Sequence, residues 1–276
     1  MINFGRGEAA KLRAALFALW TEHGSSGMLP TSGRFLFYEL VANGTIFKKR
    51  TGKRRRDQYV SEALMWLREN NHIPWYDIVD ETRSLENYEG YPTIRDGAVD
   101  VLERLRLDPW KGLAPMILTE SRSLAGALRP LAQEYGVLIA ATNGQCGGFL
   151  HTDIAPNLVT DSGKRRPVLY LGDLDKSGGD IEGNTRRVLE EIVGPLEWER
   201  LALTAAQAAE YHLTPIQKYD ERDKKYHDAI ETEALNQSVI VSIVRARLDA
   251  LIPEAIEAVQ VREKRERRRF LKKISQ

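Results

Sequence analysis

Cysteine is almost missing from this chain: Cys146 is the one thiol in 276 residues. A lone thiol excludes an internal disulfide and suits a reducing compartment. Its neighbours Gly144, Gln145, Gly147 and Gly148 read as a loop, so Cys146 reads as a bystander rather than a nucleophile. Long apolar runs are missing too. None approaches the ~18 residues a membrane span needs, and the start of the chain lacks a signal-peptide core. The expectation is a soluble, cytoplasmic protein with no membrane partner. Excess charge of one sign is also absent, since 40 Lys and Arg against 39 Asp and Glu leave +1. The net charge therefore announces no polyanionic partner, but its distribution does. Seven of the nine residues 48–56 are basic, as are eight of the twelve residues 262–273. His72 and His151 stand alone, without metal-ligand spacing.

What is present is ample apolar material, 42% of residues, in a length that suits one large or two small domains. Leu12, Leu16, Leu19 and Trp20 give residues 9–20 a helical period. Residues 24–30 read as a loop, after which Thr31 or Ser32 caps a helix that stops at Asn43-Gly44. A third helix covers about 57–69. Helix, turn, helix and basic loop suggest a helix-turn-helix or winged-helix module, with residues 48–56 as the wing. A helix at 93–105 follows. Beyond residue 115 the pattern changes. Residues 116–118, 137–141 and 168–171 are continuous apolar runs, as expected of parallel strands covered on both faces. Helical stretches at 123–135 and 180–193 alternate with them, and 201–203 reads as a further strand. This is an α/β layer architecture. A helix at 239–251 ends before Pro253, and the last twenty residues read as a charged helical tail. The expected division is 1–110, 111–252 and a basic tail at 253–276.

Two of the strands end in carboxylate. Glu120 closes the run Pro115-Met-Ile-Leu-Thr, and Asp173-Leu-Asp175 closes Val168-Leu-Tyr-Leu-Gly. Ligands of open α/β sheets bind beyond the carboxyl ends of strands. Alternation along an extended chain lets Asp173 and Asp175 face one pocket. Three carboxylates gathered there would repel each other and any phosphate, and a bound Mg²⁺ relieves both repulsions. The competing reading is a surface turn in which Asp175 merely caps the following helix.

Arg34 and Tyr38 lie four residues apart, on one face of the second helix. Leu36 and Leu40 point roughly the other way, so Tyr38 is not required by the core. A tyrosine beside a guanidinium can attack a phosphate and form a phosphotyrosyl ester. Packing is the competing role for an aromatic in a small helical module, and Phe35 and Phe37 are assigned to it. Lys218 and Arg222 sit in a mixed-charge segment that suits phosphate contact or a solvated turn. Glu231 and Glu233 are further candidates for the metal pocket.

An Arg-x-x-aromatic-Tyr helix in a winged-helix module, followed by strand-terminal Glu120 and Asp173-x-Asp175, resembles the A subunit of topoisomerase VI and the meiotic double-strand-break transesterase. The resemblance covers roughly residues 30–251. Short A-like relatives without an ATPase subunit are nearer in length, and Ile73-Pro-Trp75 with Asp80-Glu-Thr-Arg83 also looks like prokaryotic members. The resemblance implies an N-terminal winged-helix (CAP-like) domain and a Toprim domain with a Rossmann-like parallel sheet. It implies Tyr38 as nucleophile, Arg34 as its assistant, and Glu120, Asp173 and Asp175 as Mg²⁺ ligands. It also implies double-stranded DNA as substrate and a homodimer in which the tyrosine of one subunit meets the acids of the other. Lys48, Lys49, Arg50, Lys53, Arg54, Arg55 and Arg56 are the expected DNA-backbone contacts. Phe37 departs from the tyrosine often found before the nucleophile. Any ATPase subunit would be a separate chain, and a DNA substrate places the protein at the nucleoid. A hydrolytic Toprim nuclease with a structural Tyr38, and a DNA-binding protein without catalysis, are the alternatives.

Overall fold

The computed structural model describes residues 3–46, 56–79, 89–144, 147–220 and 224–274. The N-terminal layer is helical. α1 (Gly7–Ser25) outruns its expected span at both ends. β1 (Thr31–Ser32) leads into α2 (Gly33–Ala42), which begins where the Ser32 hydroxyl accepts a hydrogen bond from the Phe35 amide at 3.3 Å. That bond satisfies one of the amides a helix start leaves open. α3 (Arg56–Glu69) follows, and β1 pairs in parallel with β2 (Ile78–Val79). Leu16, Leu36, Leu40, Val60, Leu64, Leu67 and Ile73 bury one another between the helices. The expected basic wing falls mostly outside the described residues. Lys48, Lys49, Arg50, Lys53, Arg54 and Arg55 are not described, and Arg56 is the first residue of α3.

α4 (Ile94–Arg104) precedes the sheet, capped by Thr93. The sheet layer then runs β3 (Met116–Thr119), α5 (Arg122–Tyr135) and β4 (Leu138–Ala141). After the short turns α6 (Gly147–Phe149) and α7 (Ala155–Leu158) come β5 (Val168–Leu171), α8 (Lys176–Val193), β6 (Trp198–Ala202) and α9 (Ala205–Glu210). A hairpin of β7 (Ile216–Asp220) and β8 (Lys225–Ala229) leads to α10 (Gln237–Leu251) and α11 (Ile256–Ile274). The strand order is β4-β3-β5-β6, and every pairing is parallel.

The chain is thus mixed α/β with a four-stranded parallel sheet. β3 and β5 are central and buried at every position, which is why they read as unbroken apolar runs. Alternation sends Ile117, Leu169 and Leu171 to the face packed by α5 and α10, and Met116, Leu118, Val168 and Tyr170 to the face packed by α7 and α8. Two expectations needed adjustment. β4 is an edge strand with Leu138 39% exposed, not a strand covered on both faces. β6 starts three residues before the expected 201, because Trp198, Glu199 and Arg200 belong to the other edge and need not be apolar.

The helical layer is tied to the sheet layer rather than hung from it. Gln237, 2% exposed on α10, accepts the Thr31 hydroxyl at 2.6 Å and donates to the carbonyls of Met28 and Pro30 at 2.9 and 3.0 Å. Phe35 of α2 is fully buried in the sheet's own apolar cluster. These contacts hold the Arg34–Tyr38 face of α2 against the sheet.

Candidate active site

The sheet reverses direction at β3. The chain leaves β3 for β4 on one side and then crosses back to β5 on the other. The connections diverge there, so a crevice opens beyond the carboxyl ends of β3 and β5. Glu120 follows β3 directly, and Asp173 and Asp175 follow β5. The expected acids therefore meet at the topological switch point. The Glu120 carboxylate accepts the Asp173 amide at 3.0 Å.

A second strand end is drawn into the same place. Leu174 and Ile230 exchange two backbone hydrogen bonds, at 2.9 and 3.0 Å, which lays the end of β8 beside the Asp-x-Asp turn. The Thr232 amide and hydroxyl then reach Asp173 Oδ1 at 2.9 and 3.2 Å. Arg200 braces the turn from β6, donating to the carbonyls of Gly172 and Asp173 at 2.8 and 2.7 Å. Gly178 completes the close packing: a Cβ there would stand 2.4 Å from the Asp173 carbonyl oxygen.

Asp175 fills the role of helix cap. Its Oδ1 accepts the Gly178 amide at 2.6 Å, so α8 begins at Lys176, four residues before the expected 180. Its Oδ2 takes Lys218 Nζ at 2.9 Å. The competing reading of Asp175 as a cap and its reading as a member of the acidic cluster thus both hold.

Tyr38 divides in the same way. Its ring packs edge-on against Phe37 with centroids 5.2 Å apart, and the residue is 8% exposed. The packing role that competed for Tyr38 in the sequence is filled by its ring, over which the helical layer closes. Its hydroxyl escapes that packing and donates to Glu231 Oε2 of the same chain. Arg34, one turn earlier, donates to the same oxygen at 2.7 Å and lies 3.6 Å from Glu233. Glu231 is thus the shared partner of both α2 residues. Glu233, 1% exposed, accepts the Ser121 and Ser123 hydroxyls at 2.6 and 2.7 Å. Sequence placed both glutamates only as candidates for the metal pocket. Lys218 is on β7, 2.9 Å from Asp175, 3.7 Å from Asp173 and 3.7 Å from Glu231. Arg222 lies outside the described residues. Arg200 was not anticipated, because the expected strand began one residue after it.

Crowding shifts the protonation of the cluster. Burial, then the charge of Asp173, raises Glu120 from an ordinary 4.5 to about 7. Burial and Glu233 likewise raise Asp173. Burial would raise Glu231 too, but the Tyr38 hydroxyl and Arg34 outweigh it and hold the group at about 2. The Tyr38 hydroxyl is raised by its burial and by the Glu231 charge, so it keeps its proton at neutral pH.

The donor set suits a hard divalent cation. Glu120 and Asp173 offer only oxygen, and the Glu233 Oε2 atom is buried with no hydrogen-bond partner. Among the described residues no three His, Cys, Asp or Glu side chains form a ready-made cage. Mg²⁺ does not require one, since it commonly keeps several waters and takes one or two carboxylates plus substrate phosphate. Comparison of the chain with protein-family models, with curated proteins and with solved structures gave no match in any of the three.

Proposed function

We propose that this chain is a Mg²⁺-dependent DNA-cleaving transesterase similar to the topoisomerase VI A subunit, with a winged-helix-like N-terminal part and a Toprim-like sheet. The observation that carries this reading is the Glu231 carboxylate. It joins the only hydroxyl on the α2 face to the acidic switch point of the sheet. Tyr38 is the nucleophile. As its oxygen bonds to phosphorus and the bond to the leaving deoxyribose oxygen breaks, its proton passes to Glu231. Water protonates the leaving oxygen, Glu231 releases the tyrosine's proton to solvent, and the product is a phosphotyrosyl ester. Arg34, 46% exposed, keeps guanidinium donors on its open side for a phosphate oxygen. Glu120 and Asp173 would hold the Mg²⁺, with Asp175 behind them, and the ion would supply Lewis acidity at the phosphate. The pairing of Tyr38 with the acids lies within one chain here, where the resemblance implied a pairing between subunits; two such chains acting together on a duplex would cut both strands, so the acting form is a homodimer on double-stranded DNA. Lys48, Lys49, Arg50, Lys53, Arg54, Arg55 and Arg56 are the proposed contacts to the DNA backbone.

The test is incubation with supercoiled DNA and Mg²⁺ followed by detergent quenching. Protein covalently joined to DNA ends, lost in Tyr38→Phe, is the expected result. One observation favours a second reading, in which metal-bound water attacks and Tyr38 is structural: the ring is buried and its hydroxyl is held protonated. Free ends that persist in Tyr38→Phe would establish that hydrolytic nuclease and sink the transesterase.

A further inference from the structure

α11 (Ile256–Ile274) runs across the C-terminal end of α4. Glu263, 8% exposed, fixes it there: the carboxylate accepts the Leu107 amide at 3.1 Å and Arg106 at 2.9 Å. Arg267 donates to the carbonyls of Leu102 and Leu105 at 2.9 and 2.8 Å, satisfying groups that the end of α4 leaves open. Ile256 and Val259 are buried on the same side. The docked face sets which way the opposite face points.

That outward face is basic. Each residue turns a helix by about 100°, so Lys264, Arg268 and Lys272 form one row and Arg265, Arg269 and Lys273 the row beside it. All six are exposed, and none forms an ion pair among the described residues. At about 1.5 Å per residue, six positive charges stand within about 14 Å. Like charges at this density repel one another and cost the free chain stability unless a polyanion covers them. Duplex DNA offers one negative charge per about 1.7 Å of axis, against about one positive charge per 2.3 Å along this double row, so the phosphates can cover the row in full.

We propose that the outward face of α11 is a second contact for the nucleic-acid backbone, separate from the acidic crevice. A duplex fits the face better than a membrane surface does. A helix lying on a bilayer needs an apolar face to bury; Ile256 and Val259 are buried against the body, and the two exposed apolar residues of α11, Val261 and Phe270, stand nine residues apart on opposite sides of the helix and make no such face. The contact is to phosphate, so it adds affinity and orientation without reading sequence. It does not rest on the chemistry of Tyr38.

The experiment is anisotropy of a labelled duplex against salt concentration, in EDTA and on the Tyr38→Phe background, where nothing is cut. The comparison is with the same chain carrying Lys264→Gln, Arg265→Gln, Arg268→Gln and Arg269→Gln, its melting temperature measured alongside. Each lost phosphate contact removes about 0.9 from the slope of log affinity against log salt. The expected result is a slope shallower by about 3.6 and binding weaker by about tenfold or more at moderate salt, with the melting temperature held or raised. An unchanged slope and affinity would overturn the proposal. So would a variant that keeps duplex binding but loses co-sedimentation with vesicles containing phosphatidylserine, which would make the partner a membrane.

Discussion

Glu120→Gln should make the metal-free protein more stable, and only on the alkaline side. The Glu120 carboxyl titrates near 7 in the folded chain against an ordinary 4.5, because burial and the Asp173 charge disfavour its ionised form. The folded state therefore binds more protons than the unfolded state between those values, and stability falls as pH rises through them. Below 4.5 the group is neutral in both states and costs nothing. At about 1.4 kcal/mol per pH unit, the ceiling on the cost is about 3 kcal/mol above pH 7. Glu120 is partly exposed, so solvent screening reduces this to about 1–2 kcal/mol. Glutamine has the shape of the neutral acid, and its carbonyl can still accept the Asp173 amide that Glu120 accepts at 3.0 Å. Urea melts at pH 8 and pH 4.5 in EDTA read the effect directly. The variant should gain stability at pH 8 and little or none at pH 4.5. A variant no more stable than the parent at pH 8, or an offset equal at both pH values, would refute the argument. It would mean that Glu120 is compensated by contacts the geometry does not contain.

Tyr38→Phe keeps the ring packing but leaves the Glu231 oxygen without its hydroxyl donor, so a loss of about 1–2 kcal/mol is expected in denaturant melts; no loss would mean that the bond is not formed in solution. Lys218→Met removes the ammonium from among Asp175, Asp173 and Glu231 and should tighten Mg²⁺ or Mn²⁺ binding several-fold by calorimetry; weaker binding would show instead that Lys218 helps to build the site. Gly178→Ala forces a carbon to within 2.4 Å of the Asp173 carbonyl oxygen and should cost about 2–4 kcal/mol while displacing the Asp173 turn; a neutral result in urea would contradict the close approach of α8.

The parts legible in sequence are those governed by short-range pattern. β3 and β5 show as apolar runs because they are covered on both faces, and their terminal acids follow from chain order. Ser32 announces a helix start through a side chain that accepts the amide three residues on; Thr93 and Ser121 cap in the same way but were not expected as caps. The edge strands were less legible. β6 hides behind Glu199 and Arg200, since an edge strand has no apolar requirement on its open side. The least legible feature was the partnership of Tyr38 with Glu231. It spans 193 residues of sequence and depends on the Leu174–Ile230 bridge, which no periodicity encodes. Glu231 stood out in sequence only as a further candidate for the metal pocket, and its pairing with Tyr38 comes from what lies across the crevice.

The cation balance of that crevice explains why its residues sit as they do. Glu120, Asp173, Asp175, Glu231 and Glu233 are five carboxylates in a restricted space, and the structure provides Arg34 and Lys218 against them. Among the described residues two cations stand against five anions, and burial together with the residual repulsion raises the titration of Glu120 and Asp173. A structural ion-pair cluster would gain nothing from this surplus. Replacing the surplus acids with neutral isosteres would relieve repulsion at no loss of hydrogen bonding. A surplus of about three carboxylates, about two once Glu120 is protonated, is, however, what a site must hold in reserve if a divalent cation is to enter it with a phosphate. On this argument the cation should bind more weakly as pH falls below 7, since protonating Glu120 removes one of its two proposed ligands. Between pH 8 and pH 6 the apparent affinity should fall about tenfold, and Glu120→Gln should abolish most of that dependence. Calorimetric titration with Mn²⁺ at the two pH values decides it: an affinity that does not change would leave the excess of carboxylates without this purpose.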